Sequence, residues 1–381
     1  DAHMSKITPP APVTDGRKVA VIGGGPTGMS AAYFVGRAGI PVTLFEKADR
    51  LGGIVRQVIP AFRISDEAID KDVALIEKMG VEVKLNTEAP SVAELKAQGY
   101  THIFFAVGAW KAGRLDIPGN VVPVIGWLRD MKAGKDVSLG HVAVVGGGNT
   151  AMDAARAALR AGAKSSTLVY RRTKKYMPAD AEELEMAIAD GVEFLELVAP
   201  VEQKDGKLIC EKMKLGDPDD KGRRKPVPTG EMVEIPCDTV VSAVGEKVES
   251  EVFTRNGITV DEKGIPAFKT NLEGVYAGGD AMRGPATVVE GIADAQYFAN
   301  AVIGEAHKFA IPAKAVATRE EAVAKKGVLC ESAKCEGDRC LTCNVVCQVC
   351  ADVCPNRANV VIELPDGRQQ ILHVDRMCNE C

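Results

Sequence analysis

Two glycine turns and one cluster of cysteines carry residue types whose spacing could do chemistry. The first turn, Gly23-Gly24-Gly25-Pro26-Thr27-Gly28, follows the strand formers Val19-Ala20-Val21-Ile22 and opens an alanine-rich helix expected from Thr27 to Ala38. Glycines at this spacing let a backbone turn tightly, approach a pyrophosphate and pack a helix on a strand. The helix N-terminus then offers free N–H groups to the phosphates. The next strand, Val42-Thr43-Leu44-Phe45, ends in Glu46, 23 residues past Gly23, where a carboxylate can accept ribose hydroxyls of an adenosine.

The pattern recurs 123 residues on, as His141-Val142-Ala143-Val144-Val145 and then Gly146-Gly147-Gly148-Asn149-Thr150. Its second strand, Ser166 to Tyr170, ends in Arg171-Arg172 where the first copy has an acid. An acid would repel a 2'-phosphate, whereas two guanidiniums bind it through charge-assisted, often bidentate hydrogen bonds. The two sites are therefore assigned by contrast, flavin at the first and NADP(H) at the second. An ordinary glycine turn and a solvated basic turn are the plainer readings of these segments.

Nine of the eleven cysteines fall in the last 52 residues. Cys347-x2-Cys350-x3-Cys354-Pro355 matches the latter part of a bacterial ferredoxin run, and Cys378-x2-Cys381 begins a second one. With Cys340 and Cys343 upstream, these are candidate ligands of [4Fe-4S] clusters. Zinc is the rival for paired cysteines. The upstream spacing is irregular, three residues between Cys343 and Cys347, with Cys335 extra. The sequence stops before the last two cysteines of the second run, so incomplete clusters are expected within it. Cys210 and Cys237 stand too far apart for a Cys-x-x-Cys pair and read as ordinary buried thiols.

The elements that must position these groups alternate strand and helix. Between the two turns lie the Gly52-Gly53 pair with Lys47 and Ile54 beside it, a helix around Asp66 to Met79, and a buried strand ending in Ala106-Val107-Gly108. A helix near Ala181 to Asp190 and a solvated hairpin around Gly216 to Asp220 follow the second turn, and Thr239 to Gly245 mirrors the strand at Gly108. Gly278-Gly279-Asp280 ends another strand, and Thr287-Val288 opens a helix to Ile303, whose N-terminus could stabilise negative charge on a reduced flavin ring. A hairpin is expected from Asn359 to Val374.

At 46% hydrophobic and 26% charged residues the composition is that of a globular protein, with no run approaching the roughly 18 apolar residues of a membrane span. A formal net charge of -5 argues against nucleic acid as a partner. No signal peptide is visible, and a nucleotide-binding α/β body with clustered cysteines implies a reducing cytoplasm. Asp1-Ala2-His3-Met4 reads as a cloning remnant and residues 5 to 16 as a linker.

In these motifs, and in Ile59-Pro60-Ala61-Phe62-Arg63, Tyr170-Arg171-Arg172 and Met177-Pro178-Ala179, residues 17 to 305 resemble the FAD- and NADPH-dependent small subunit of bacterial glutamate synthase, and the similar module of dihydropyrimidine dehydrogenase. The resemblance implies that Gly23, Gly25, Gly28, Glu46, Gly53, Gly108, Gly279, Asp280 and Val288 hold FAD. Pro26, Thr27, Lys47, Ile54, Arg63, Ala106, Val107 and Thr287 complete that set. It implies that Gly148, Asn149, Thr150, Arg171 and Arg172 hold NADPH. Two departures stand out. Glu246-Lys247-Val248 replaces the family's Gln and Pro, and the cysteine-rich domain that precedes the first turn in the family is not seen, so the sequence is expected to be part of a longer polypeptide. The segment Cys340 to Val360 resembles the end of selenate reductase iron-sulfur subunits.

The fold implied is α/β, with two Rossmann-like dinucleotide-binding domains in a glutathione-reductase-like arrangement. The expected boundaries are an FAD domain from 17–125 and 246–305, an NADPH domain at 126–245, a helical linker at 306–329 and a truncated ferredoxin-like segment at 330–381. The expected activity passes electrons from NADPH through FAD to the clusters. Partners would be further iron-sulfur domains or subunits, with an amidotransferase or a molybdenum subunit as candidates. A docking module that keeps FAD without turnover, and a diaphorase-like flavoenzyme with a zinc tail, are the alternatives.

Overall fold

A computed structural model of the chain describes residues 8–137, 139–217 and 224–304, and the backbone of 218, 359–363 and 369–373. In chain order, β1 (Val19–Ile22), α1 (Pro26–Arg37), β2 (Val42–Phe45), α2 (Gly53–Gln57), α3 (Asp66–Lys78), β3 (Glu82–Lys84), α4 (Val92–Ala97) and β4 (His102–Phe105) build most of a first domain. A short strand, β5 (Lys111–Ala112), leads out of it. The second domain begins with β6 (Val121–Pro123), α5 (Val124–Lys132), β7 (His141–Gly146), α6 (Asn149–Arg160), β8 (Ser165–Tyr170), α7 (Ala181–Ala189) and β9 (Glu193–Glu196). Three longer strands follow, β10 (Val198–Lys204), β11 (Lys207–Pro218) and β12 (Arg224–Pro236), then β13 (Thr239–Ala243). The chain returns through β14 (Glu246–Lys247), α8 (Glu251–Thr254), β15 (Val275–Ala277), α9 (Asp280–Arg283) and α10 (Val288–Ile303).

The first sheet runs β15-β4-β1-β2-β3 with every pair parallel. Parallel strands are covered on both faces, which is why β1 and β2 are apolar or buried at every position rather than alternating. On one face α1 packs on α10, and Phe104 of β4 stacks on Phe298 of α10 with ring centroids 4.4 Å apart. On the other, Ala20, Ile22 and Phe105 meet Phe253 and Ile258.

The second sheet, β6-β13-β7-β8-β9, is also all parallel. Its helices α5, α6 and α7 close over Val142, Val144 and Leu168. Its other face is covered by the antiparallel sheet β10-β11-β12, whose Leu208, Cys210 and Ile235 meet Ala143, Val169 and Val240. Cys210 and Cys237 are free and fully buried, and desolvation pushes their thiols up to about 12 and about 11. They are inert packing groups, as their spacing suggests. Where the chain leaves and re-enters the first domain, β5 and β14 pair antiparallel, and Gly113 N–H donates to the Gly245 carbonyl at 2.6 Å.

The α/β architecture with two Rossmann-like domains is borne out. The second sheet takes in Val121–Pro123, a few residues before the expected boundary at 126. In the second compact unit the backbone of Asn359–Glu363 pairs antiparallel with Gln369–His373, as the turn spacing predicts. The expected helical linker and the candidate ligands Cys340, Cys343, Cys347, Cys350, Cys354, Cys378 and Cys381 lie outside the described residues. Among the described residues no helix is long and apolar enough to cross a membrane.

Candidate cofactor cleft and second nucleotide site

At the first turn, Gly23 has φ +104°, a left-handed conformation a side chain would strain, and a Cβ there would meet the Ala106 carbonyl. A Cβ on Gly28 would run into the Gly23 carbonyl, so the helix sits on the strand only because that position is bare. Gly25 is the N-cap of α1 and makes no side-chain cap, with Pro26 at the first helical position. The N–H groups of Thr27 and Gly28 are thus left to a ligand. Gly52 N–H donates to the Gly24 carbonyl at 2.8 Å, and Gly53, φ +52°, lies so close to Gly25 that a Cβ would be 2.7 Å from its Cα.

Glu46 is 6% exposed at the end of β2. Its Oε2 accepts from Gly24 N–H at 2.6 Å and its Oε1 from Ala48 N–H at 2.8 Å. Each oxygen keeps accepting capacity, so the carboxylate is aimed and still able to take ribose hydroxyls.

These residues open onto one cleft of about 340 Å³, within the range of about 300–1,000 Å³ of ligand pockets. Of the expected flavin set, Gly23, Gly25, Pro26, Thr27, Glu46, Lys47, Gly53, Ile54, Ala106, Val107, Gly108, Asp280, Thr287 and Val288 line it. Gly28 and Gly279 stand behind the wall, Gly279 (φ +64°) pressed against the Thr27 hydroxyl. Asp280 also lines it, where burial raises its carboxyl to about 6 and Ala286 N–H bonds it at 3.1 Å. Thr287 caps α10 in a reciprocal box with Glu290, which uses the N–H groups of both and leaves those of Val288 and Val289 open.

A bare glycine cradle, two lining carboxylates (Glu46 held by two N–H donors, Asp280 by one) and a helix N-terminus fit a dinucleotide such as FAD. Trp110, residues 87–90, Glu249, Arg255 and Asn256 also form the wall, none of them marked by a sequence motif. Lys47 Nζ lies 5.9 Å from the centre of the Trp110 ring, and the only sign of Trp110 in the sequence is an aromatic residue two positions after Gly108.

The second turn is built differently. Gly146, Gly147 and Gly148 all lack positive φ, a Cβ on Gly147 would strike the Tyr170 ring, and Gly148 faces open space. Gly148 is the N-cap of α6, again with no side-chain cap. Asn149 bonds Asp180 twice, donating from Nδ2 at 3.3 Å and accepting Asp180 N–H at 3.1 Å, while Thr150 sits half-buried beside it. Among the described residues Arg171, which is exposed, makes no ion pair, and the buried Arg172 Nε–H has no hydrogen-bond partner. An exposed arginine and a guanidinium with an orphaned N–H, near an uncapped helix N-terminus, fit a phosphate-bearing nucleotide.

Arg63 is placed elsewhere than expected. Its Nε donates to Asp153 of α6 at 2.5 Å and its terminal nitrogens donate to both oxygens of Glu183 of α7. Two carboxylates of the second domain outcompete the cleft for the guanidinium, so it is not part of the flavin wall. The Glu183 bonds raise the Arg63 pKa and hold Glu183 low, whereas burial outweighs Arg63 at Asp153 and moves that carboxyl up.

Two Rossmann-type domains, one with a cleft lined by two carboxylates and one with an open glycine turn followed by two arginines, define a two-nucleotide oxidoreductase. The chain belongs to the pyridine nucleotide-disulphide oxidoreductase family, which matches residues 17–295. It is 34% identical over 321 residues to the glutamate synthase [NADPH] small chain of Halomonas elongata, covering 76% of this chain and 67% of that one. This bears out the resemblance read from the motifs. The YgfK protein of Escherichia coli K12 is 39% identical over 408 aligned residues, covering all of this chain, which spans 39% of that protein's length. In fold the chain is similar to Mycobacterium tuberculosis FprA in complex with NADPH, at TM-score 0.62 and 21% identity over 75% of this chain and 84% of that one.

Proposed function

We propose that this chain is an FAD-dependent NADPH oxidoreductase module that passes electrons from NADPH to iron-sulfur clusters. The observation that carries this reading is the contrast between its two glycine turns, Glu46 at the end of one and Arg171-Arg172 at the end of the other. Bound FAD would supply N5 as acceptor of the nicotinamide C4 hydride and a ring able to release the two electrons singly.

The chain's own residues bind, orient and exclude water. Gly23, Gly25 and Gly53 would admit the pyrophosphate, Glu46 and Asp280 would accept hydroxyls of the bound cofactor, and the N–H groups of Val288 and Val289 would favour negative charge on a reduced ring. Arg171 and Arg172 would hold the 2'-phosphate, with Gly148, Asn149 and Thr150 at the pyrophosphate. The family is named for a disulphide, yet the two cysteines among the described residues are buried away from the cleft. The cysteines from Cys340 to Cys381 are the proposed outlet, as [4Fe-4S] ligands completed by further iron-sulfur domains or subunits. The domain boundaries and the cytoplasmic location expected from the sequence belong to the same reading.

Anaerobic mixing of the flavin-loaded protein with NADPH should bleach the visible flavin band. Unchanged flavin would leave a docking module that binds FAD without turnover. Reconstitution of the full chain with iron and sulfide should load both elements, and zinc without iron would replace the cluster assignment.

A further inference from the structure

The segment that begins at the flavin cleft ends inside the second domain. Gly53, Ile54 and Ile59 line the cleft. Between Ile54 and Ile59, Val58 is 2% exposed in the core built by α5, α6 and α7, and the cleft residues Ile54 and Trp110 pack against that same core. Lys132 of α5 donates to the carbonyls of Val55 at 3.3 Å and Ile59 at 2.6 Å. Phe62 lies under two guanidiniums, with the Arg156 and Arg160 carbons 4.9 and 4.6 Å from its ring centre.

Arg63 finishes the attachment with a forked pair to Glu183 and a third bond to Asp153. The side chains of Arg63, Asp153 and Glu183 are 22%, 12% and 14% exposed, so these bonds are largely shielded from water. Asp153 lies one turn beyond the Gly148-Asn149-Thr150 end of α6, and Glu183 lies in the first turn of α7, whose N-cap Asp180 bonds Asn149. Both partners of Arg63 therefore belong to the two helices whose N-terminal ends meet at the second nucleotide site.

We propose that Arg63 is a positioning residue for hydride transfer, a latch that holds the NADPH-binding domain against the flavin cleft so that nicotinamide C4 meets flavin N5. The inference rests on the two-site reading given above. The step it positions is balanced: the hydride leaves C4 with two electrons, NADPH becomes NADP+, and the flavin is left as the two-electron-reduced anion. Arg63 touches neither nucleotide and acts through Asp153 and Glu183. Geometry of this kind is steep, since a displacement of about 1 Å costs on the order of a hundredfold in rate.

The test uses the full chain loaded with FAD. Arg63→Ala should keep its flavin and bind NADP+ within about twofold of the parent, while anaerobic bleaching by NADPH slows about a hundredfold. Glu183→Gln, which weakens the fork and keeps the Asp153 bond, should fall between. Arg63→Lys should restore only part of the rate, because an ammonium cannot make the fork. Without NADPH, amides of 58–63 and of the first turn of α6 should lose hydrogen-exchange protection in Arg63→Ala, with β1 and β4 unchanged.

Bleaching at the parental rate in Arg63→Ala and Glu183→Gln would overturn the latch. So would a fall in NADP+ affinity parallel to the rate, or unchanged protection at 58–63. Failure of the parent protein to bleach would refute the NADPH reading alone, and the exchange data would still decide whether Arg63 holds the domains together.

Discussion

The two glycine turns solve one problem with different backbones. The first uses a left-handed Gly23 and a Gly28 with no room for a Cβ, beside a cleft that Glu46 and Asp280 help to line. The second uses no left-handed residue, carries Ala151 where the first has Gly28, and leaves Gly148 and Arg171 facing outward. A resident cofactor can be enclosed by rigid, bare backbone, whereas a nucleotide that arrives and leaves at each turnover is served by an open shelf with cations at its rim.

The largest expected break of this comparison is Gly28→Ala. The added carbon would press on the Gly23 carbonyl, which belongs to the fixed strand end and cannot yield. A cost of about 3 kcal/mol implies about a hundredfold weaker flavin retention, read as the flavin-to-protein absorbance ratio after purification. Arg171→Ala should lower the preference for NADPH over NADH about tenfold or more while leaving flavin content unchanged, as measured by bleaching rates with each nucleotide. An unchanged ratio would contradict the assignment of the second site.

A smaller effect is expected from Asp280. Its carboxyl stands at about 6 in the folded protein against an ordinary 3.8, so between these values the folded form binds more protons than the unfolded chain. Through this group the flavin-free protein loses stability as pH rises across that window, and the loss is complete above about pH 6. Asp280→Asn should therefore melt about 2–4 °C higher than the parent at pH 7, with the difference shrinking toward pH 4. A difference independent of pH would refute the burial argument. The smallest effect belongs to Ala151→Gly, which should cost at most about 1 kcal/mol of helix stability and leave NADPH binding unchanged in a titration.

The turns, strands and Glu46 were legible because their signals are local: glycine spacing, apolar runs and a strand-end acid lie within a few tens of residues of one another. The partners of Arg63 were not legible because its motif stands next to the cleft residues in sequence, while the carboxylates that bind it are 90 and 120 residues away. Trp110 and the loops at 87–90 and 249–256 escaped notice because a wall needs only shape, and shape leaves no spacing pattern. The strands β10 to β12 carry no site motif, and only their packing on the second sheet gives them a role.

The ribbon of β5 and β14 brings the two crossing strands together, with Gly113 and Gly245 joined by a single 2.6 Å bond. Everything between them is a cassette whose cut ends already touch. A turn of a few residues could replace that insert and reclose the flavin-binding body, so the same ribbon that carries the nucleotide domain also marks where it could be exchanged for another of different cofactor preference.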